Sequence, residues 1–281
     1  MNFEYFDIHS HLSFPNYDSD REEIIAEMKE NKIGTIGIGV DFDTSRKELE
    51  LAEKHQNIFA CVGQHPSDLK TDSEFDERLI DLAKNSKAVA IGECGLDYFA
   101  RHSLAEEGFE PNQNPALSKT LAGKQKEIFQ KQIELAIKIE KPLMLHIRPS
   151  DKVTYDAYFD CLDILEGYTK DFGEKLRGNA HFFVGSMEVL KRFLNIGFSV
   201  SFGGVITFTD EYNEYIKYTP IDMIHSETDA PFVAPEPYRG KRNSSLYLPQ
   251  IVKKMAEIRV EKEDFLKENL INNAKRLFNL P

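Results

Sequence analysis

The feature that most restricts the fold of this 281-residue chain is a regular alternation of strand-like and helix-like segments. Eight short apolar runs, among them IGTIGIGV and PLMLHIR, are separated by amphipathic stretches such as DREEIIAEMKENK and KQKEIFQKQIELAIKIE. Several of these runs have no polar face, which is typical of strands in a parallel sheet covered by helices. Eight such units predict a single-domain α/β fold of the (β/α)8, or TIM-barrel, type over residues 1–281, with an open doubly wound sheet as the alternative.

Composition restricts the function classes. The formal net charge of −12 argues against adhesion to nucleic acid or anionic membrane through charge alone, but it is compatible with an enzyme that holds phosphate through metal ions. The apolar runs are too short to span a bilayer, and the chain starts without a basic and apolar leader. Three cysteines without a CxxC pair fit a reducing compartment. We therefore expect a cytoplasmic protein with no membrane partner.

One long polar segment interrupts the alternation. Residues 100–123, ARHSLAEEGFEPNQNPALSKTLAG, contain prolines and glycines and show only weak periodicity. Loops longer than about 15 residues without secondary structure are usually functional or disordered. Because the segment follows the predicted fourth strand, on the edge where barrels carry their active sites, it predicts a loop that serves as a lid.

Polar side chains recur where the predicted strands end. The first strand ends in DIHSH, whose alternate positions place an aspartate and two histidines on one face. The fourth strand ends in GECGLD, the fifth in LHIR, the sixth in His181 of AHFFVG and the eighth in SETD. In a parallel barrel these ends meet at one rim. The side chains with metal-ligand chemistry at this rim are His9, His11, Glu93, His146, His181 and Asp229.

The number of candidates decides between a structural and a metal-binding interpretation. A single histidine at a strand end, such as His146 or His181, is more often structural, whereas the pair His9 and His11 can share one ion. A catalytic ion needs about three protein ligands and a water. Six candidates, including carboxylates that can bridge, therefore predict two divalent ions about 3.5–4 Å apart. Four imidazoles favour Zn²⁺, Mn²⁺ or Ni²⁺ by ligand chemistry.

These segments also carry a family resemblance. The chain resembles the TatD-like metal-dependent hydrolases, often called TatD DNases, in segments that follow the family order over residues 7–243. They are DIHSHL, VGQHP, IGECGLDY, KQKEIFQKQIELA, PLMLHIR, HFFVG and ETDAPFVAPEPYRGKRN. The resemblance implies a TIM barrel and hydrolysis of phosphodiester bonds in DNA by an exonuclease, typically with Mg²⁺ or another divalent ion. The choice among Mg²⁺, Mn²⁺ and Zn²⁺ stays open, and RNA is a second candidate substrate.

The resemblance further implies how the ligands divide between two ions. The HxH pair and Asp229 would hold one ion, the histidines of strands five and six would complete the other, and Glu93 would bridge them. A metal-activated water would then attack phosphorus. Asp229 would serve either as ligand and proton acceptor or as ligand alone. Glu93 and Asp229 are therefore the catalytic candidates.

Four further side chains are candidates for substrate binding. Arg148 shares the inward parity of His146 and could hold a phosphate through two hydrogen bonds, or form a salt bridge instead. His65 follows a turn after the third strand, where a structural hydrogen bond is the alternative. Arg239 and Lys241 lie in the basic segment YRGKRN, which is either a phosphate site after the eighth strand or a solvated loop.

Two other functions compete with the nuclease. An amidohydrolase-like amide or ester hydrolase, such as an aminoacyl-tRNA deacylase, would keep the metal centre, but many of these bridge their ions with a carbamylated lysine where this chain has Glu93. A non-catalytic binding module would be expected to have lost ligands, and all six candidates are present. Four aromatic residues near the predicted site loops could stack on single-stranded bases: Phe14, Tyr98, Phe99 and Tyr238. The sequence leaves the polarity of digestion, the physiological substrate and the oligomeric state open.

Overall fold

The eight strands form one parallel sheet in which each strand pairs with the next along the chain. The computed structural model describes residues 2–99, 119–150 and 156–281. In order, β1 to β8 are Tyr5–Ser10, Ile33–Ile38, Ile58–Val62, Ala88–Asp97, Leu143–Arg148, Gly178–Ala180, Ser199–Phe202 and Ile224–Ser226. The loop after β8 returns to β1, where Ser10 and Ala230 form a parallel bridge and the His11 amide donates to the Ala230 carbonyl over 2.7 Å. The predicted (β/α)8 barrel is confirmed.

Helices alternate with these strands and cover the outside of the barrel. In the described residues, α1 to α9 are Arg21–Glu30, Phe42–Lys54, Arg78–Ala83, Lys119–Ile139, Asp156–Phe172, Met187–Asn195, Asn213–Tyr218, Leu248–Arg259 and Glu263–Phe278. Local sequence sets where some of them begin: the Asp41 carboxylate accepts from the Thr44 amide over 2.7 Å, which satisfies a free N–H group in the first turn of α2. Most of their buried apolar residues pack on the strands in one large cluster, and smaller clusters include residues of α1, α4 and α9.

Three boundaries differ from the sequence-based expectation. Residues 119–123 of the predicted loop are the first turn of α4, whereas residues 100–118 lie outside the described residues, so the lid stays a prediction. Strand β6 ends one residue before His181, and β8 ends before Glu227. Phe182 and Asp229 have φ values of 45° and 52°. A left-handed backbone cannot continue a strand, so both site segments are loops that begin where the strand stops.

Candidate metal centre

All six predicted ligands lie in one pocket at the carboxyl ends of the strands. His9 comes from β1, Glu93 from β4 and His146 from β5, while His11 and His181 directly follow β1 and β6, and Asp229 lies three residues after β8. His9, His11, Glu93 and His181 are buried. Asp229 is the most open carboxylate of the set, with 16% of its side chain exposed against 4% for Glu93. The pocket therefore has buried ligands and an acidic group at its mouth.

Glu93 reaches the centre of the pocket because the backbone of β4 is irregular beside it. The pairing of β4 with β5 shifts between Ile91 and Cys94. Gly92 and Gly95 flank the glutamate with φ values of 148° and 136°, and a Cβ at either position would lie within 2.4 Å of a β5 carbonyl oxygen. Only glycine tolerates both the backbone conformation and this close approach. The glycines of the GECG sequence are thus required to aim Glu93 inward.

One half of the pocket consists of His9, His11, Asp229 and the Oε2 atom of Glu93, and we call it the His9–His11 half. Its ligand atoms are close but not hydrogen-bonded. Nε2 of His9 lies 3.5 Å from Glu93 Oε2 and 3.7 Å from Asp229 Oδ1. Nε2 of His11 lies 3.7 and 3.5 Å from the same two oxygens. In the described residues, neither ring nitrogen of the buried His9 has a hydrogen-bond partner.

This spacing fits a divalent ion. Ligand atoms placed about 2.1 Å from an ion in tetrahedral geometry are roughly 3.4 Å from each other. The four contacts of 3.5–3.7 Å match that separation and exceed a normal N–H···O hydrogen bond. His11 also has the tautomer that a ligand needs: its Nδ1 lies 3.1 Å from the Ile38 carbonyl and must carry the hydrogen, which leaves the Nε2 lone pair facing the pocket.

The other half consists of His146, His181 and the Oε1 atom of Glu93, and we call it the His146–His181 half. Both imidazoles contact Glu93 Oε1 directly, through His146 Nδ1 and His181 Nε2, each over 2.9 Å. Their opposite ring nitrogens face further carboxylates: His146 Nε2 lies 3.1 Å from Asp97 Oδ2, and His181 Nδ1 lies 3.3 Å from Glu227 Oε1. A carboxylate behind a ligand histidine is the usual device that orients the ring and makes it a better ligand.

The electrostatics of the two halves follow from these contacts. Burial lowers the pKa of His9, and the neighbouring His181 lowers it further. Burial also acts to lower the pKa of His146, but contact with Asp97 and Glu93 outweighs it and raises this pKa to about 9. Burial acts to raise the pKa of Glu93, yet the surrounding histidines His65, His181 and His9 hold it well below its usual value. Glu93 is therefore an anion inside a ring of imidazoles.

Other buried groups hold the ligand loops in place. Asp7, the first polar residue of DIHSH, is not a ligand: its carboxylate accepts from the amides of His9 and Thr228 over 3.1 and 3.0 Å and ties β1 to the loop that carries Asp229. From α4, Gln125 accepts from the Asp97 amide over 3.0 Å and donates to the Pro66 carbonyl over 3.1 Å. Gln125, in the segment KQKEIFQKQIELA, thus connects the end of β4 with the loop after β3.

The four predicted substrate-binding residues take different positions around the pocket. His65 points its Nε2 at Glu93 Oε1 over 3.4 Å, while its Nδ1 accepts from the Ser67 amide over 3.1 Å. Its Nε2 therefore carries the hydrogen in the neutral ring, which makes it a donor rather than a ligand. Arg148 and Arg239 lie over the rings of Phe99 and Phe208, 4.0 and 3.7 Å from the ring centroids.

The three basic residues of the YRGKRN segment after β8 have different surroundings. Arg242 is bound to the Asp20 carboxylate over 2.5 Å and packs over Tyr17, so it is structural. Arg239 and Lys241 are exposed, and neither has an ion-pair partner among the residues that the structure describes. Arg148 likewise lacks a carboxylate partner in the described part of the chain. Three of the predicted cations are thus available to an anion.

Two aromatic predictions are unsupported by the geometry, and one aromatic residue was missed. Tyr98 is buried and donates to Asp160 over 2.7 Å, and Tyr238 stacks on Tyr247 with ring centroids 3.8 Å apart. Phe14 stacks on the ligand candidate His11 with centroids 4.5 Å apart. Phe232, which lies in the segment ETDAPFVAPEPYRGKRN but received no role there, is 47% exposed beside the same ring. A solvent-exposed aromatic in a loop has no periodic signal that would have found it.

Comparison with known proteins places the chain in a family. The model of the family described as TatD related DNase matches residues 6–279. The metal-dependent hydrolase YabD of Bacillus subtilis is 34% identical over 279 residues, covering 98% of this chain and 99% of the relative. A protein of Pectobacterium parmentieri named 3'-5' ssDNA/RNA exonuclease TatD is 28% identical over 285 residues, covering 98% and 99%. The crystal structure of the Escherichia coli TatD homologue YjjV superposes with a TM-score of 0.81 at 24% identity and covers both chains completely.

None of the helices in the described residues combines the length and the apolar character needed to cross a bilayer.

Proposed function

The chain belongs to the TatD related DNase family of metal-dependent hydrolases, and from that premise we propose that it is a divalent-metal-dependent phosphodiesterase that removes nucleotides from the end of a DNA strand, with RNA as the second candidate substrate. The observation that carries the proposal is the position of Glu93. Its Oε2 faces His9 and His11, and its Oε1 faces His146 and His181, at 2.9–3.7 Å. A carboxylate placed in this way can bridge two ions, as in two-metal enzymes that cleave phosphate esters.

The two halves of the pocket would each hold one ion, with Asp229 in the His9–His11 half. Divalent ions bound there would neutralise charge on the phosphate oxygens and make a nucleophilic water available near neutral pH. Nitrogen and oxygen ligands in these numbers accept Mn²⁺ or Zn²⁺ readily, and Mg²⁺ through the carboxylates and waters. Mg²⁺, Mn²⁺ and Zn²⁺ are therefore the three ions to test.

Asp229 would take the proton of the attacking water, or would serve as a ligand alone. It is the carboxylate at the mouth of the pocket, and its Oδ1 lies beside Nε2 of both His9 and His11. Burial acts to raise its pKa, but contact with His11 and the nearby His9 and His181 hold that pKa below its usual value. Asp229 is therefore ionised at neutral pH and able to accept a hydrogen bond from water.

The chain's own donors would hold the substrate phosphate. The Nε2–H group of His65 points into the pocket from the β3 side, and Arg148 lies on the β5 side, stacked on Phe99. A guanidinium supported by a ring is fixed in place but still presents its N–H edge to a phosphate. Arg239 and Lys241 extend this positive border on the β8 side. Because the whole chain is acidic, with a net charge of −12, we expect affinity to come from one terminal phosphate rather than from a long duplex.

The test is a metal-stripped enzyme reloaded separately with Mg²⁺, Mn²⁺ and Zn²⁺. It is offered end-labelled single-stranded DNA, the same sequence as RNA, an aminoacyl-tRNA and a simple carboxylic ester. Progressive shortening of DNA or RNA supports the proposal. Cleavage of the carboxylic esters alone would assign the chain to the amidohydrolase-like alternative, and absence of any turnover in the presence of bound metal would assign it to a binding role.

The compartment belongs to the same proposal. Cys61, Cys94 and Cys161 are buried and unpaired, which fits a reducing compartment such as the cytoplasm.

A further inference from the structure

An aromatic corner lies at the edge of the candidate metal centre, formed by Phe14, Phe232 and the neighbouring Val233. Phe14 stacks on the imidazole of His11 with ring centroids 4.5 Å apart. Phe232 meets both rings edge-on, 5.9 Å from His11 and 6.2 Å from Phe14. The corner is therefore in direct contact with a candidate ligand.

Hydrogen bonds fix the corner to the loop that carries Asp229. The Phe232 amide donates to the carbonyl of Asp229 over 2.8 Å. The buried Asn243 side chain donates to the carbonyls of Phe232 and Thr228 over 2.6 and 2.7 Å. These bonds hold the backbone of Phe232 in register with the carboxylate at the mouth of the pocket. The ring is thus presented to solvent by a rigid loop.

Phe232 and Val233 are 47% and 40% exposed. Exposed aromatic rings beside a charged pocket favour a ligand that joins an anion to a flat apolar group. A nucleotide has this chemistry: its phosphate would lie in the pocket, and its base has a π-face that stacks on aromatic side chains. A protein partner is the weaker candidate, because an interface buries about 800 Å² on each side and the corner has only two exposed large apolar side chains.

We propose that the Phe14–Phe232 corner is a stacking site for the base next to the scissile phosphate, so that the enzyme binds ends that carry their bases more tightly than ends that lack them. This inference rests on the proposed function and names the part of the substrate that the corner recognises. It also accounts for how an acidic chain holds its substrate, since stacking acts at short range and does not need a positive surface. A base engaged in a duplex has its face covered by its neighbours and must first be released.

The experiment compares two single-stranded oligonucleotides, one complete and one that lacks the bases of the two terminal nucleotides at each end. They are cleaved by the wild type, by Phe232→Ala and by Phe265→Ala, a control in which a similarly exposed ring on α9 is removed, 52% exposed against 47%. Phe14 is left intact because it packs on His11. In the wild type and in the control, we expect a KM lower by roughly 5- to 100-fold for the complete oligonucleotide. In Phe232→Ala this preference should become much smaller through a higher KM for the complete oligonucleotide, with kcat nearly unchanged.

Two results would overturn the inference while leaving the proposed function intact. Phe232→Ala could keep the wild-type preference for the complete oligonucleotide, or it could impair both substrates equally, as a general structural defect would. If the wild type cleaves neither oligonucleotide with any of the three ions, the proposed function fails. In that case the fluorescence anisotropy of a labelled oligonucleotide is measured with the same Mn²⁺-loaded proteins. Binding that is weaker in Phe232→Ala than in Phe265→Ala supports the stacking site, whereas equal binding or none overturns it.

Discussion

The two halves of the candidate metal centre share Glu93 but differ in how their ligand atoms are spaced. In the His9–His11 half the atoms stand 3.5–3.7 Å apart without hydrogen bonds. In the His146–His181 half both imidazoles contact the Glu93 carboxylate at 2.9 Å. The cause lies in the supporting elements. His9 on β1 and His11 directly after it are held by one backbone segment, whereas His146 on β5 and His181 after β6 come from different parts of the barrel and each lie between two carboxylates.

This difference indicates that the halves are prepared for a metal ion to different degrees. A set of ligands that already stands at the spacing of a coordination sphere needs little rearrangement, which favours affinity. In the His146–His181 half, the imidazoles must first give up contacts with Glu93. We therefore expect the first equivalent of metal to enter the His9–His11 half. The following changes test that order, beginning with the largest effect.

Replacing Glu93, the residue common to both halves, should have the largest effect. Glu93→Ala is expected to abolish binding of both ions and to lower kcat by at least about 10³-fold, because it removes several kcal/mol of metal-dependent stabilisation of the transition state. Metal content by mass spectrometry and turnover of end-labelled DNA measure the two effects, and circular dichroism checks the fold. Glu174→Gln, on the exposed turn before β6, is the matched control. Retention of one tightly bound ion in Glu93→Ala would show that the halves are independent.

Single histidine replacements should separate the halves. His9→Ala is expected to remove the tighter class of site in a calorimetric titration, and His181→Ala the weaker class, each with a loss of activity of about 10²-fold or more. The reason is that each change removes one buried ligand nitrogen from a different oxygen of Glu93. If both variants lose the same class of site, the assignment of the tighter ion to the His9–His11 half is wrong.

The contrast between the halves marks what the sequence could predict. Alternation along DIHSH placed His9 and His11 on one face, because strand parity is a local property of the backbone. The order of strands in a barrel then brought Glu93, His146 and His181 to the same rim. The spacing within each half could not be predicted, since a difference of 0.6–0.8 Å between ligand atoms depends on how neighbouring strands and loops pack.

Loop conformation was the second property of the site that could not be predicted from the sequence. Asp229 was predicted at the end of a strand, but it lies in a loop with a φ of 52°. Its position depends on hydrogen bonds from Thr228 to Asp7, two residues that are 221 positions apart in the chain. Phe232 lies in the same loop, and its position could not be predicted from the sequence for the same reason. Contacts of such long range leave no periodic pattern in the sequence.

The carboxylates behind His146 and His181 should have an intermediate effect that is confined to one half. Asp97→Asn and Glu227→Gln keep the size of each side chain but remove the charge that faces the imidazole. We expect each to weaken the second metal site by about 10- to 100-fold and to leave the first unchanged. Calorimetric titration with Mn²⁺ resolves the two sites. Equal weakening of both sites would mean that these carboxylates support the pocket as a whole and not one half of it.

Replacing a buried histidine that lies away from the ligands tests how burial changes a pKa without neighbouring carboxylates. We expect the smallest effect from this replacement. His225 on β8 is 1% exposed, and burial together with the nearby Arg276 lowers its pKa from 6.5 to about 3. The folded protein therefore resists protonation of this ring. Above pH 6.5 the ring is neutral in both the folded and the unfolded protein, so it does not change the free energy of unfolding. Below pH 6.5 the unfolded chain binds a proton that the folded protein does not, so the free energy of unfolding falls as the pH approaches 3. Between pH 7.5 and 5 the metal-free wild type should lose about 2 kcal/mol more of its free energy of unfolding than His225→Asn, as measured with urea. If His225→Asn follows the wild type at every pH, burial and Arg276 do not keep this imidazole neutral in the folded barrel.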